Sequence, residues 1–238
     1  MKNLNIFTLI LITLVSVVYV SCRNLYPMVG NGNLVVSERV VSKFEKISSG
    51  GSNEISFHAS QEYRVVVTTD SNLIQFVTTD VRNNVINISF KRGSYSSTRI
   101  RVDVYCPTLT GVSISGSGSF TGNDTIIAST FDSNVSGSGE IIGTLECTNF
   151  SANISGSGKI TVIGSGKDSD INISGSGTFN GNNFAINNAT VRVRGSGRAN
   201  VFVTENLNMV ISGSGEVYYR GNPKIESKTS GSGQINKL

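Results

Sequence analysis

The sequence has few of the residues on which most catalytic and metal sites depend. It contains no tryptophan, three prolines and one histidine in 238 residues. The single histidine, His58, has no second histidine with which to hold a metal, and no evident serine and aspartate partners for nucleophilic catalysis. No glycine is followed by Lys-Ser or Lys-Thr, which excludes a Walker phosphate-binding loop.

Charge is also scarce. Charged residues make up 15% of the chain and leave a net charge of +4. A net charge this small does not indicate the clustered basic face that nucleic-acid binding normally needs. We therefore expect no nucleic acid among the partners of this protein.

Glycine and β-branched residues are abundant, and one motif returns at a regular interval. The first glycines of the Gly-Ser-Gly copies follow each other at steps of 21, 19, 19, 20, 18 and 18 residues. Periods near 20 residues indicate stacked repeats that are too small to fold alone. The copies are Gly116, Gly137, Gly156, Gly175, Gly195, Gly213 and Gly231.

The columns around this glycine alternate between apolar and polar residues. Isoleucine or valine stands two positions before it in six of the seven copies, from Ile114 to Ile211. A polar residue stands one position before it in every copy and three positions before it in all copies but one, where Val210 stands. Equivalent strands must then stack in register, which predicts an all-β fold. We expect a parallel β-solenoid with repeats of about 18–21 residues and a rise of about 4.8 Å per repeat. Asn134, Asn153 and Asn172 are predicted to form an amide ladder on a polar face.

The sequence leaves the position of the repeat glycines open, whereas the register of the repeat predicts the spacing of the cysteines. The glycines either face inward, where opposite walls approach closely, or form corners with positive φ. Cys106 and Cys147 fall about two repeats apart, roughly 9.6 Å, which is too far for a disulfide. We therefore predict two free, largely buried thiols.

The candidates for chemistry within the repeat are weak. Asp168 and Asp170 are interpreted as solvated loop charges, because calcium-binding β-rolls need many more aspartates. Glu140 and Glu216 share a column but lie four repeats apart, roughly 19 Å. That distance is too long for paired carboxylate catalysis. We expect no enzyme activity, no cofactor and no metal.

The N-terminus has the features of an export signal. Lys2 precedes an uncharged run of 17 residues, Leu4–Val20, which is short for a membrane-spanning helix of roughly 20 residues. Cys22 follows it as the lipidated cysteine follows a bacterial lipobox, although Tyr19 replaces the usual leucine. We expect a lipoprotein signal peptide at residues 1–22, with a plain secretory signal or an uncleaved anchor as alternatives.

The chain between this signal and the repeats divides by composition. Residues 23–33 are predicted to be a tether, residues 34–105 an irregular N-terminal β region that caps the solenoid, and residues 106–238 the repeats. The segment Ser71–Val81 is predicted as a short helix opened by Ser71. Strands are predicted at Glu54–His58, Tyr63–Thr69, Val85–Phe90 and Arg99–Tyr105.

Several segments are similar to one known family. The stretch YCPTLTGVSISGSGSF (Tyr105–Phe120), the recurring SGSG and the ending ISGSGEVYYRGNPKIESKTSGSGQI (Ile211–Ile235) resemble the putative auto-transporter adhesin, head GIN domain family. Phe44–Ile47 and Asn84–Phe90 resemble its front half, so that the resemblance covers about residues 34 to 237. It implies a β-helical domain of bacterial exported proteins, often lipoproteins, with no catalytic residues to carry over.

The chain departs from the plain repeat in two places. Arg194 stands where serine is usual, and an extra Gly-Ser-Gly occurs at Gly164–Gly166. Arg192, Arg194 and Arg198 are predicted to face outward as a small basic patch for anionic glycans or lipid headgroups, unless they only aid solubility. Tyr218 and Tyr219 offer a stacking platform for a sugar, unless they pack near the end of the chain.

The leading functional hypothesis is a non-catalytic, exported adhesin or binding module of the bacterial cell envelope. It would be held in the outer membrane by a lipid on Cys22, on the surface or the periplasmic face. Its partners would be host or envelope glycans or surface proteins. The alternatives are an envelope scaffold protein without a specific ligand and a carbohydrate-active β-helix enzyme.

Overall fold

The computed structural model describes residues 27–91, 93–96 and 100–238. The described chain consists of β-strands with a single turn of 3-10 helix at Ile74–Phe76. The strands are β1 (Met28–Val29), β2 (Leu34–Val40), β3 (Lys46–Gly51), β4 (Glu54–Ala59), β5 (Arg64–Asp70), β6 (Val77–Arg82), β7 (Val85–Phe90), β8 (Tyr95–Ser96), β9 (Arg101–Cys106), β10 (Gly111–Gly116), β11 (Ser119–Gly122), β12 (Ile126–Gly137), β13 (Glu140–Gly156), β14 (Lys159–Gly175), β15 (Thr178–Gly195), β16 (Arg198–Gly213), β17 (Glu216–Arg220), β18 (Lys224–Ser230) and β19 (Gln234–Lys237).

The fold is the predicted parallel β-solenoid. Each coil pairs in parallel with the next, so that Gly137 aligns with Gly156 and Gly156 with Gly175. Strands β13 to β16 each run through most of a coil and are interrupted only at the Ser-Gly corner. The alternation of side chains between the core and the solvent follows from the period of two in a strand.

Branched aliphatic and aromatic side chains form columns inside the coils. Ile154 and Ile160 are at most 2% exposed, and the equivalent residues of neighbouring coils are buried with them. Burying such a side chain contributes about 1.5–3 kcal/mol relative to leaving it in water. One buried column consists of Ile114, Val135, Ile154, Ile173, Val193 and Ile211.

The two glycines of each motif have different roles, which resolves the alternative that the sequence left open. The first glycine forms the corner, with φ between +107° and +116° in all seven copies. The second glycine is not in the left-handed region, but it packs under the preceding coil. A Cβ on Gly158 would lie 2.3 Å from Cγ1 of Val135 and 2.8 Å from the carbonyl oxygen of Gly139.

The parallel stack continues into the front half of the chain. Strands β3 and β4 pair in parallel with β10 and β11, and β7 and β9 pair in parallel with β3 and β4. Antiparallel strands then end the stack, with β6 on β7, β5 on β9 and β2 on β5. The sheet therefore runs through residue 105 without a break, and the domain boundary placed there stays a prediction.

The front half contains less helix than the sequence predicted. The helix predicted at Ser71–Val81 is wrong, because the chain forms only the 3-10 turn Ile74–Phe76 and then enters β6. The predicted tether, residues 23–33, is described from residue 27. There β1 pairs with β8, and the backbone nitrogen of Gly32 donates to Asp70 at 2.7 Å. The signal peptide at residues 1–22, including Cys22, lies outside the described residues.

Both cysteines in the described part of the chain are free, as predicted. Cys106 is buried and Cys147 is half-buried. They lie three rungs apart rather than two, roughly 14 Å, because β4 is inserted between β9 and β11. Burial raises the pKa of Cys106 to about 12 and that of Cys147 to about 11.

The extra Gly-Ser-Gly at Gly164–Gly166 makes room for a phenylalanine of the next coil. Gly164 aligns with Phe184, and a Cβ on Gly166 would lie 2.9 Å from Cζ of that ring. Phe184 is fully buried and packs edge-on against Phe150, with ring centroids 5.2 Å apart. The interruption of the repeat is therefore a packing device.

Candidate functional site

One wall of the solenoid presents a regular polar surface, which we call the ladder face. Aligned residues of successive coils form four outward-facing columns on this wall. The columns are the amide column (Asn149, Asp168, Asn188, Asn206), the acid column (Asp132, Ser151, Asp170, Thr190, Asn208), the asparagine ladder (Ser113, Asn134, Asn153, Asn172, Arg192) and the serine column (Ser115, Ser136, Ser155, Ser174, Arg194).

The predicted asparagine ladder is present and is hydrogen-bonded along its length. Nδ2 of Asn153 donates to Oδ1 of Asn134 at 3.0 Å, and Nδ2 of Asn172 donates to Oδ1 of Asn153 at 3.2 Å. Arg192 continues the ladder at its last rung, where its Nη1 donates to Oδ1 of Asn172 at 3.5 Å. Such bonds between identical side chains stabilise an in-register stack.

A second hydrogen-bonded ladder runs along the amide column. Nδ2 of Asn206 donates to Oδ1 of Asn188 at 2.7 Å, and Nδ2 of Asn188 donates to Oδ1 of Asp168 at 2.8 Å. This ladder was not predicted from the sequence. Its signal was available, because Asn149, Asp168, Asn188 and Asn206 follow each other at nearly the same steps as the corner glycines.

Asp168 and Asp170 were interpreted from the sequence as solvated loop charges. They lie instead within strand β14, on its outward side. Asp170 accepts hydrogen bonds from Arg192 at 2.8 and 2.9 Å and from Asn172 at 2.6 Å. Asp168 is an acceptor in the amide column. Both carboxylates are therefore parts of the ladder face rather than isolated charges in solvent.

Two open grooves run along the ladder face. The first, with a volume of about 440 Å³, lies between the amide column and the acid column, with Phe150, Ser169 and Ala189 among its lining residues. The second, of about 350 Å³, lies between the asparagine ladder and the serine column and ends at Arg194. Each groove is parallel to the solenoid axis, because each crosses successive coils.

The three arginines of the predicted basic patch differ in their contacts. Arg192 is paired with Asp170. Nε of Arg198 donates to Glu216 at 2.9 Å, and this hydrogen bond raises the pKa of the guanidinium. Within the described residues Arg194 forms no ion pair, and it is exposed at the end of the second groove. The patch therefore reduces to one uncompensated charge.

The two tyrosines also separate. Tyr219 packs against the hydrophobic core, in agreement with the packing alternative. Tyr218 is half-buried on the outside of β17, where the guanidinium of Arg198 lies 5.5 Å from the centroid of its ring. This cation–π contact covers one face of the ring, and whether Tyr218 stacks on a sugar stays a prediction.

His58 has an acidic partner that the sequence did not reveal. Its Nε2 lies 3.2 Å from Oδ1 of Asp103 and 3.3 Å from Nδ2 of Asn123, and its ring stacks on Tyr105. Strand β9 brings Asp103 next to His58 by pairing with β4. Within the described part of the chain the hydrogen-bond partners of this histidine ring are Asp103 and Asn123 and not a serine, and no group of three potential metal ligands occurs there.

The described residues also contain no helix that is long and apolar enough to cross a membrane.

Comparison with known proteins identifies similar chains. The sequence profile of a family described as "putative auto-transporter adhesin, head GIN domain" matches residues 43–223. A "putative adhesin" from Bacteroides fragilis has a similar structure, with a TM-score of 0.82 at 20% identity over 89% of this chain and 100% of its own. No protein of curated function matches.

Two structures from Parabacteroides distasonis are also similar. One is named a "putative lipid binding protein" and the other a "putative adhesin". Each has a TM-score of 0.75 at 26% identity and covers 89% of this chain and 99% of its own.

Proposed function

Since the chain belongs to the family described as "putative auto-transporter adhesin, head GIN domain", we propose that it is a non-catalytic adhesin whose ladder face binds a glycan chain. The observation that carries this proposal is the second groove. There, hydroxyl and amide groups repeat at every rung and lead to the exposed Arg194.

The chemistry of the second groove suits sugar hydroxyl groups. Asn134 uses one amide hydrogen to reach Ser113 on the preceding rung, which leaves its second amide hydrogen for a ligand. Asn153 and Asn172 use both amide hydrogens within the protein, and the carbonyl oxygen of each keeps a lone pair that can accept from a ligand. Ser136 and Ser155 are exposed, and their hydroxyls have no hydrogen-bond partner within the described residues. A sugar hydroxyl both donates and accepts, so that it complements such a mixed surface.

The repeat of the groove also suits a linear polymer. Equivalent groups recur about every 4.8 Å along the axis, a spacing close to the length of one sugar unit. Each unit of an extended chain would then meet the same pair of columns, and many weak polar contacts would add up. Arg194 would bind an acidic substituent at one end of the groove.

The sequence supports a location in the cell envelope. The run Leu4–Val20 followed by Cys22 has the pattern of a lipoprotein signal, and we propose that a lipid on Cys22 anchors the protein to the membrane. The rigid solenoid, whose backbone hydrogen bonds are made between its own coils, would hold the ladder face away from that anchor.

A glycan array probed with the purified protein tests the ligand class. The Ser155→Tyr variant fills the second groove, whereas Ser157→Tyr adds the same ring at an exposed corner outside it. We expect S155Y to weaken binding roughly tenfold or more, which corresponds to about 1.4 kcal/mol of lost contacts. S157Y is expected to bind as the unmodified protein does.

Other outcomes would redirect the assignment. Absence of binding to glycans, matrix proteins and peptidoglycan would overturn the adhesin and leave an envelope scaffold. Turnover of a polysaccharide would indicate an enzyme. Binding to vesicles of anionic phospholipid with loss in Arg194→Ala, but no glycan binding, would point to the lipid-binding role named for one similar structure.

A further inference from the structure

The last coil of the solenoid ends in a strand with an open edge. Strand β18 pairs in parallel with β16 on one side, and no described strand pairs with its other side. All seven of its residues are exposed, including Ile225 at 40%. An open edge of this length presents a row of unpaired backbone groups, which is a template for another strand.

The side chains of β18 separate into two sets. Ile225, Ser227 and Thr229 continue the inward columns of Leu207, Met209 and Ile211. They are small or apolar, so that they permit a further strand beyond them. The outward set carries the charges of Lys224, Glu226 and Lys228.

The outward charges of β18 restrict how it can pair. Natural edges are commonly protected by charged side chains, above all lysine, by proline, or by charges that point inward. Strand β18 carries Lys224 and Lys228 on its outward side, but Glu226 lies between them and nothing charged lies on the inward side of the strand. Pairing through β18 therefore requires a register in which lysine of one strand faces Glu226 of the other.

Strand β18 is complementary to itself in one antiparallel register. When Ser227 faces Ser227 of a second copy, all seven residues are paired and inward residues face inward residues. In this register Glu226 of each copy faces Lys228 of the other. If the partner strand is shifted by two residues in one direction, Glu226 faces Glu226 of the other copy, and in the other direction Lys228 faces Lys228. Like charges directly opposite each other are unfavourable.

We propose that β18 is a homotypic docking edge, at which two copies of this chain pair antiparallel about Ser227. The arrangement has twofold symmetry, and each copy supplies the same surface. The two solenoids continue each other end to end, and their N-terminal regions lie at opposite ends. Two ladder faces are then held in one rigid body, and this pairing does not depend on what those faces bind.

Sedimentation velocity over a range of concentrations tests the pairing with charge-exchanged variants. Glu226→Lys and Lys228→Glu each place like charges opposite each other twice, so that each is expected to weaken the dimer at least tenfold. The double variant E226K/K228E restores both opposite-charge pairs and is expected to recover the dimer. Glu146→Lys and Lys167→Glu change exposed charges elsewhere on the solenoid and serve as controls.

Cysteine cross-linking tests the register independently. In the proposed pair the two Ser227 Cα atoms lie about 4.5–5.5 Å apart, within the range of a disulfide. The two Ser230 Cα atoms lie roughly 20 Å apart, six residues along the strands. Ser227→Cys is therefore expected to form a cross-linked dimer under mild oxidation, and Ser230→Cys is not.

Each contrary result counts against the proposal. A protein that stays monomeric at every concentration shows that the charges of β18 prevent pairing. A dimer that is indifferent to the charge exchange, or that cross-links equally through residue 230, uses another surface. Growth beyond two copies would indicate head-to-tail stacking rather than a closed pair. Melting temperatures of all variants show whether the solenoid is intact.

Discussion

The corner glycines make the sharpest prediction about stability. Gly156 has φ of +113°, a conformation that residues with a side chain rarely adopt, and a Cβ there would lie 2.6 Å from the carbonyl oxygen of Gly137. In Gly156→Ala, the backbone must keep the strained conformation, and the contact must be relieved by separating two coils. Both effects act on the folded state.

The size of the effect follows from these two terms. A residue held in a sparsely populated backbone region costs about 1–3 kcal/mol, and overpacking a tight site costs about 1–3 kcal/mol. We expect G156A to lower the free energy of unfolding by about 3 kcal/mol. For a chain of this size, that corresponds to a fall in melting temperature of roughly 6–12 °C.

Differential scanning calorimetry measures this change, with Ser157→Ala as the matched control. Ser157 is the neighbouring exposed residue, and its backbone nitrogen, which donates to Gly137 at 2.9 Å, is unchanged by the substitution. S157A is expected to stay within about 0.5 kcal/mol of the unmodified protein. If G156A melts together with S157A, the corner glycines are not required for the conformation described, and the account of the repeat fails.

Three further predictions concern the ladder, the thiols and the irregular coil. Asn153→Ala breaks the bonds to two rungs and should lower the free energy of unfolding in urea by about 1–2 kcal/mol, whereas Ala at the exposed Asn183 should change it little. Neither Cys106 nor Cys147 should react with Ellman's reagent at pH 8 without denaturant, because burial raises their pKa to about 12 and about 11. Since the unfolded chain loses these protons first, near the ordinary value of 9.0, the free energy of unfolding should fall as the pH rises above about 9; rapid labelling at pH 8 would contradict this burial. Phe184→Ala should cost about 3–5 kcal/mol through the cavity it leaves, and an unchanged melting temperature would show that the ring is not needed.

The solenoid was predictable because its signal is repeated. A column such as Ile114 to Ile211 recurs in every coil, so that chance matches are averaged out, and the asparagine ladder follows from the same alignment. The front half offered no such averaging. Strands β3 and β4 form a coil without the full motif, and this single insertion put Cys106 and Cys147 three rungs apart instead of two.

The candidate site was only partly predictable because pair contacts depend on neighbours across coils. The sequence placed Arg192, Arg194 and Arg198 on the outside but could not show that Asp170 and Glu216 neutralise two of them. In the same way, Asp103 reaches His58 only through strand pairing between residues that are 45 positions apart. Whether Arg194 contacts a ligand stays a prediction.

The fit of Phe184 over Gly166 bears on how a chain of near-identical coils finds its correct order. Coils that share the same glycines and serines can stack on the wrong neighbour at little cost, since most columns would still match. If the coil of β15 skipped β14 and stacked on β13, the phenylalanine would align with Leu145 instead of Gly164. The ring would then have no space. The single irregular pair of Phe184 and Gly166 therefore disfavours stacking of this coil on the wrong neighbour during folding.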